Sequence, residues 1–158
     1  MTKQPIRKII VLLALFAACS PVPLPVKVEG AAMLPALKEG DLILIQRPAT
    51  GLQRGDIVLF YYPEDTRKSY LKRIIGLPDE TFEIRAGRVV INGAELPEPY
   101  IESKFNQITR SRPEVKIPSD SYFVLGDNRD NSNDSRMWGA LRGKLIYGKF
   151  LSKYGEAK

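Results

Sequence analysis

With 158 residues, 44 % of them apolar and 27 % charged, the chain has the size and balance of one folded domain with room for a short appendage. The absence of histidine excludes Ser-His-Asp and Cys-His catalysis and most zinc sites, and a single cysteine, Cys19, excludes an internal disulfide. The net charge of +6 first suggests nucleic acid, but Lys and Arg are spread out with no run of four, so that partner is not expected.

The N-terminus is basic over residues 1–8 (MTKQPIRK) and wholly apolar over 9–18 (IIVLLALFAA). A proline-rich PVPLPV follows Cys19 and Ser20. Three readings compete: an uncleaved membrane anchor, a cleavable secretory signal, and a lipoprotein signal in which Cys19 carries lipid. The anchor is favoured, although the apolar run is short for a span. By the positive-inside rule the basic flank stays in the cytoplasm and the rest of the chain lies outside. The expected division is therefore an anchor over 1–26 and a folded extracytoplasmic domain over 27–158.

The body opens on VEGAAMLPALKEGD, from Val28 to Asp41. Its small residues, Met and Pro look arranged around a ligand, yet Ala32 brings no chemistry. Beyond it, short strand-like runs alternate with turn signals, and no helical period persists. The expected strands are Asp41–Gln46, Asp56–Tyr62, Tyr70–Ile75, Thr81–Arg85, Arg88–Ile91, Ala94–Leu96, Ser121–Leu125 and Lys144–Leu151. Ala86-Gly87 and Asn92-Gly93 are hairpin turns. The spacing, with twelve Pro and twelve Gly, predicts a mainly antiparallel β domain. Residues 97–118, rich in Pro, Ser, Glu and Arg, read as a long connection or small insertion.

Two stretches carry more than a loop needs. In Tyr70–Pro78 (YLKRIIGLP), strand alternation puts Lys72 on a face with Tyr70 and Ile74. Buried there, it becomes a weaker base that accepts a proton near neutral pH; on an edge it is simply solvated. Gly126–Arg136 (GDNRDNSNDSR) holds three Asp, three Asn, two Ser and two Arg. It is either a solvated turn or a loop cross-linked by charge-assisted hydrogen bonds. A calcium loop is disfavoured, because the spaced Gly and terminal Glu of an EF-hand are missing.

These pieces resemble the signal peptidase I family of membrane-anchored serine proteases. The resemblance rests on an N-terminal membrane segment and four ordered blocks: VEGAAMLPALKEGD, RGDIVLF, YLKRIIGLPDE and GDNRDNSNDSRMWG. It implies a Ser/Lys dyad with Lys72 as general base and Ser132 orienting it. It places the nucleophile at position 32, whose backbone N–H also serves the oxyanion. Gly30, Met33, Leu37, Tyr70 and Leu71 fall at substrate-contacting positions that select small side chains before the cut. Asp134 and Arg136 form a supporting ion pair, and Asp127 and Arg129 belong to the same support. No cofactor or metal is implied. The partners are signal peptides of exported preproteins and membrane lipid.

The resemblance also exposes the departure. Ala32 stands where the family has its nucleophilic Ser, and Ala36 where it has Thr. Alanine cannot form an acyl-enzyme, so no turnover is expected. Ala32 is either an engineered Ser→Ala change or the mark of a natural non-catalytic relative. The paired loss favours the relative, which would hold an extended peptide by strand addition and release it uncut.

Overall fold

A computed structural model describes residues 22–155. The apolar segment, Cys19 and the choice between anchor, signal and lipid attachment lie outside those residues. Among the described residues no helix is long and apolar enough to cross a membrane.

Among the described residues eleven strands form two antiparallel sheets. They are β1 (Leu24–Lys27), β2 (Leu42–Gln46), β3 (Ile57–Tyr62), β4 (Asp65–Gly76), β5 (Thr81–Arg85) and β6 (Arg88–Ile91), then β7 (Ala94–Glu95), β8 (Arg112–Lys116), β9 (Ser121–Leu125), β10 (Leu141–Arg142) and β11 (Ile146–Gly155). The larger sheet runs β1-β2-β11-β3-β4-β9-β10 and the smaller β7-β6-β5-β8. The only α-helix among the described residues, α1 (Ser135–Trp138), is a single turn. The mainly β, antiparallel architecture expected from the turn-rich sequence is the one observed.

The strands follow from residue pattern. Leu42–Gln46 alternates outward Leu with fully buried Ile43 and Ile45. β3 is buried on almost every residue, because it lies inside the sheet between β11 and β4. Three strands were not legible in the sequence. β1 and β8 each contain a proline, Pro25 and Pro113, and each sits at a sheet edge, where a missing N–H breaks no ladder. Leu24–Val26, read as the tail of the N-terminal segment, thus pair with Ile43–Ile45. β10 has two residues and too little pattern to read. β4 starts earlier than expected, because Asp65–Ser69 extend a polar hairpin with β3 into water.

One apolar cluster joins the sheets. Ile75, Phe123 and Leu125 of the larger sheet pack against Phe82, Ile84, Val89 and Ile91 of the smaller. Phe82 and Phe123 stack at a centroid distance of 3.9 Å. A second cluster, including Val28, Met33, Leu37, Ile43 and Leu59, lies under the turn after β1 and fixes its position on the sheet.

Candidate active site

The segment between β1 and β2 is a closed turn. The Val28 N–H donates to the Asp41 carbonyl and the Gly40 N–H returns to the Val28 carbonyl, both at 2.8 Å. The Lys38 N–H donates to the Asp41 carboxylate at 2.8 Å. Met33 and Leu37 anchor the turn in the core. Gly30 takes φ +74°, a left-handed conformation that costs glycine nothing, and the space beside its Cα is open. The chain therefore bends at Gly30 and lifts Ala31 and Ala32 over the sheet.

Opposite this turn runs β4. Lys72 pairs with Val58 of β3, and the next residue, Arg73, pairs with Leu125 of β9, so Lys72 occupies an interior strand. It is only 4 % exposed, which settles the choice between edge and buried lysine. Desolvation pushes its amine down to about 8, with the Asp134 carboxylate acting against that shift and the Arg136 guanidinium reinforcing it. Nζ donates to the Leu71 carbonyl at 3.0 Å and lies 5.2 Å from the Tyr70 ring centroid. Tyr70 itself stacks on Tyr62 at 4.7 Å.

The polar string after β9 is the cross-linked loop, not the solvated turn. Asp134 is completely buried and accepts from the Gly126 N–H at 3.0 Å and from Arg136 Nε at 2.8 Å. Asp127 binds Arg73 through both carboxylate oxygens, with Nε at 2.8 Å. Arg129 binds Glu98 with both terminal nitrogens and the Gly126 carbonyl with Nε. The Ser135 hydroxyl accepts the Val124 N–H at 3.0 Å, tying α1 to β9.

This loop grips the turn that carries Ala32. The Asn128 N–H donates to the Ala32 carbonyl at 3.0 Å and its side-chain amide to the Ala31 carbonyl at 3.1 Å. A methyl group at Gly126 would lie 2.3 Å from Ser132 Oγ and 2.5 Å from the Ala32 carbonyl oxygen. Only glycine permits that approach. Gly126, Asn128 and Arg73 received no role in the sequence reading. The one signal for Gly126 was its place at the junction of an apolar strand and a polar string.

The result is a groove of about 600 Å³. Gly30, Ala32 and Met33 form one wall, Tyr70, Leu71 and Lys72 the other, and Ser132 lies at its end. The Ala32 N–H has no acceptor among the described residues. Leu37 does not line the groove. It is 1 % exposed and supports the wall from the core, because the turn folds its side chain inward. Ser132 Oγ is buried and makes no hydrogen bond, so the expected bond to Lys72 is not formed and the amine uses the Leu71 carbonyl instead. No cluster of metal-ligating side chains occurs among the described residues.

An antiparallel β domain with a groove between a turn and an interior strand is the architecture for which comparison with known proteins finds a family. The chain belongs to the signal peptidase family, peptidase S26, whose model matches residues 3–154. It is 36 % identical to signal peptidase I of Leptolyngbya laminosa over 80 % of this chain and 66 % of that one. It is 38 % identical to signal peptidase I V of Bacillus subtilis over 77 % and 80 %. The crystal structure of a signal peptidase I from Enterococcus faecalis V583 aligns with a TM-score of 0.55 at 33 % identity, covering 65 % of this chain and 98 % of that one. The chain spans about two thirds of the length of the Leptolyngbya relative. Its family is generally membrane-associated.

Proposed function

We propose that this chain is a signal peptidase I-type scaffold that takes the extended small-x-small segment of an exported preprotein into its groove and, as written, leaves it uncut. The groove lies on the outer side of the membrane, held there by the apolar N-terminal segment. The peptide runs between the turn at Gly30–Met33 and the strand at Tyr70–Lys72. In this reading Met33, Tyr70 and Leu71, which line the groove, contact the small side chains beside the scissile bond.

In this reading Lys72 is the general base. Its neutral amine would take the proton of a seryl hydroxyl at position 32 as that oxygen attacks the carbonyl carbon. The Ala32 N–H would receive the oxyanion, and Ser132 would orient the lysine once a hydroxyl draws its amine away from the Leu71 carbonyl. The Asp134–Arg136 and Asp127–Arg73 pairs hold the loop that positions these groups. Ala32 supplies a methyl group where the attacking oxygen belongs, so no acyl bond forms. The observation that carries the reading is a buried, weakly basic Lys72 on the same groove as an unpaired Ala32 N–H.

The test is cleavage of a preprotein with a small-x-small site by the full chain in detergent, beside Ala32→Ser. The expected result is a silent parent and an active variant. Silence in both, with both folded and binding peptide, replaces the protease scaffold by a peptide-binding relative. Activity in the parent means that another nucleophile acts, and the Lys72 assignment fails.

A further inference from the structure

The loop from Gly126 to Arg136 has a second face. Behind Ser132 lies another cavity, of about 440 Å³, lined by Arg110, Arg112, Arg129 and Arg136. Its arginines form a ladder. Arg129 donates to the Gly126 carbonyl, Arg136 Nη1 to the Arg129 carbonyl at 2.7 Å, and Arg112 Nη1 to the Arg136 carbonyl at 2.6 Å.

The charges on this ladder are unevenly compensated. Arg129 has Glu98 and Arg136 has Asp134. Among the described residues Arg110 and Arg112 form no ion pair, and Nε of Arg112 is buried without a hydrogen-bond partner. The one carboxylate in the lining, Asp130, is already engaged by the backbone N–H groups of Gln107 and Ile108 at 2.8 and 2.9 Å. A half-buried guanidinium in a cavity with three others, lacking a counter-charge, is stabilised by an anion with several acceptor oxygens.

We propose that this cavity is a binding site for a phosphate-bearing ligand, held by Arg110 and Arg112 over the arginine ladder. Ile108, 50 % exposed, and Met137, 76 % exposed, form an apolar lip on the same cavity that suits the carbon part of a phosphate ester. The site is separate from the groove and depends on neither Ala32 nor Lys72. Ser132 lines both cavities, so the ligand would sit directly behind the groove.

Calorimetric titration of the full chain in detergent, at constant ionic strength, tests the site with two probes. These are inorganic phosphate and glycerophosphoglycerol, the soluble headgroup of phosphatidylglycerol. Saturable binding is expected, weakened at least tenfold by Arg110→Gln and by Arg112→Gln and unchanged by Arg88→Gln, which lies outside the cavity. Arg110 is exposed, so its variant keeps the fold if the Arg112 variant does not. Tighter binding of the headgroup identifies membrane lipid as the source, and tighter binding of inorganic phosphate identifies a free solute. Either result, lost with the arginines, supports the site. No saturable binding of either probe, or binding indifferent to Arg110 and Arg112, overturns it.

Discussion

Lys72 is where one residue carries the most consequence. Its ordinary value is 10.5 and the fold brings it to about 8. Below pH 8 the amine is protonated in the folded and the unfolded chain alike, and the folded state bears the full cost of burying the charge. Between 8 and 10.5 the unfolded chain binds the proton and the folded chain does not, so stability rises with pH. Lys72→Met should therefore stabilise the protein at pH 7 by up to about 3.5 kcal/mol, taking 1.4 kcal/mol per pH unit. That advantage should shrink as the pH approaches 10.5. Denaturant unfolding of parent and variant at pH 7 and 10 reads both values. If Lys72 is the base proposed above, the same amine must be neutral to act in the Ala32→Ser form. Its cleavage rate should climb about tenfold per pH unit toward pH 8 and level off above it, in a pH–rate profile. A flat profile from pH 6 to 9 would remove Lys72 as the base.

At the scale of elements, the site depends on two loops being pressed together. Gly126 makes the contact, and a methyl group there meets a backbone carbonyl and Ser132 on a loop fixed by buried ion pairs. Neither partner can swing aside. Gly126→Ala should cost about 2–3 kcal/mol and abolish cleavage when combined with Ala32→Ser. Gly76→Ala is the informative control. Its added methyl approaches the Ile117 Cδ1 atom at 2.3 Å and Phe123 Cβ at 3.0 Å, and the closer of these is the free end of a side chain that can rotate. Urea unfolding should find it the milder change, and the site, which Ile117 does not line, should keep its activity in the Ala32→Ser background.

For the whole molecule, the issue is whether the small sheet is a separate unit. The apolar cluster is shared between the sheets, with Phe82 from one and Phe123 from the other at its centre. The Arg129–Glu98 pair, both members almost buried, ties the segment after β7 to the loop at the groove. The two sheets should therefore melt together. Phe82→Ala should cost about 3–5 kcal/mol, and calorimetry should still record one transition at a lower temperature. Two separated transitions would mean that the small sheet folds on its own.

Much of this was legible in order along the chain. Alternation marks β2 and β5, whose half-buried strands print a period of two on the sequence, while β3, β6 and β9 are legible as short apolar runs bounded by turn residues. The hidden strands β1 and β8 carry prolines that only an edge position tolerates, and an edge is a property of the finished sheet. The absent histidine, the Ala at position 32 and the polar string were visible residue by residue, and so was the family. The sequence left open whether Lys72 is desolvated, which depends on β3 and β9 flanking its strand. It also put Leu37 on the groove wall, whereas the closure of its turn sends it to the core. The contacts of Asn128 and Gly126 with the Ala31–Ala32 turn join residues nearly a hundred positions apart. Local patterning determined the elements and the chemistry at hand. Only the packing of distant strands decided which groups lost water and which face one another.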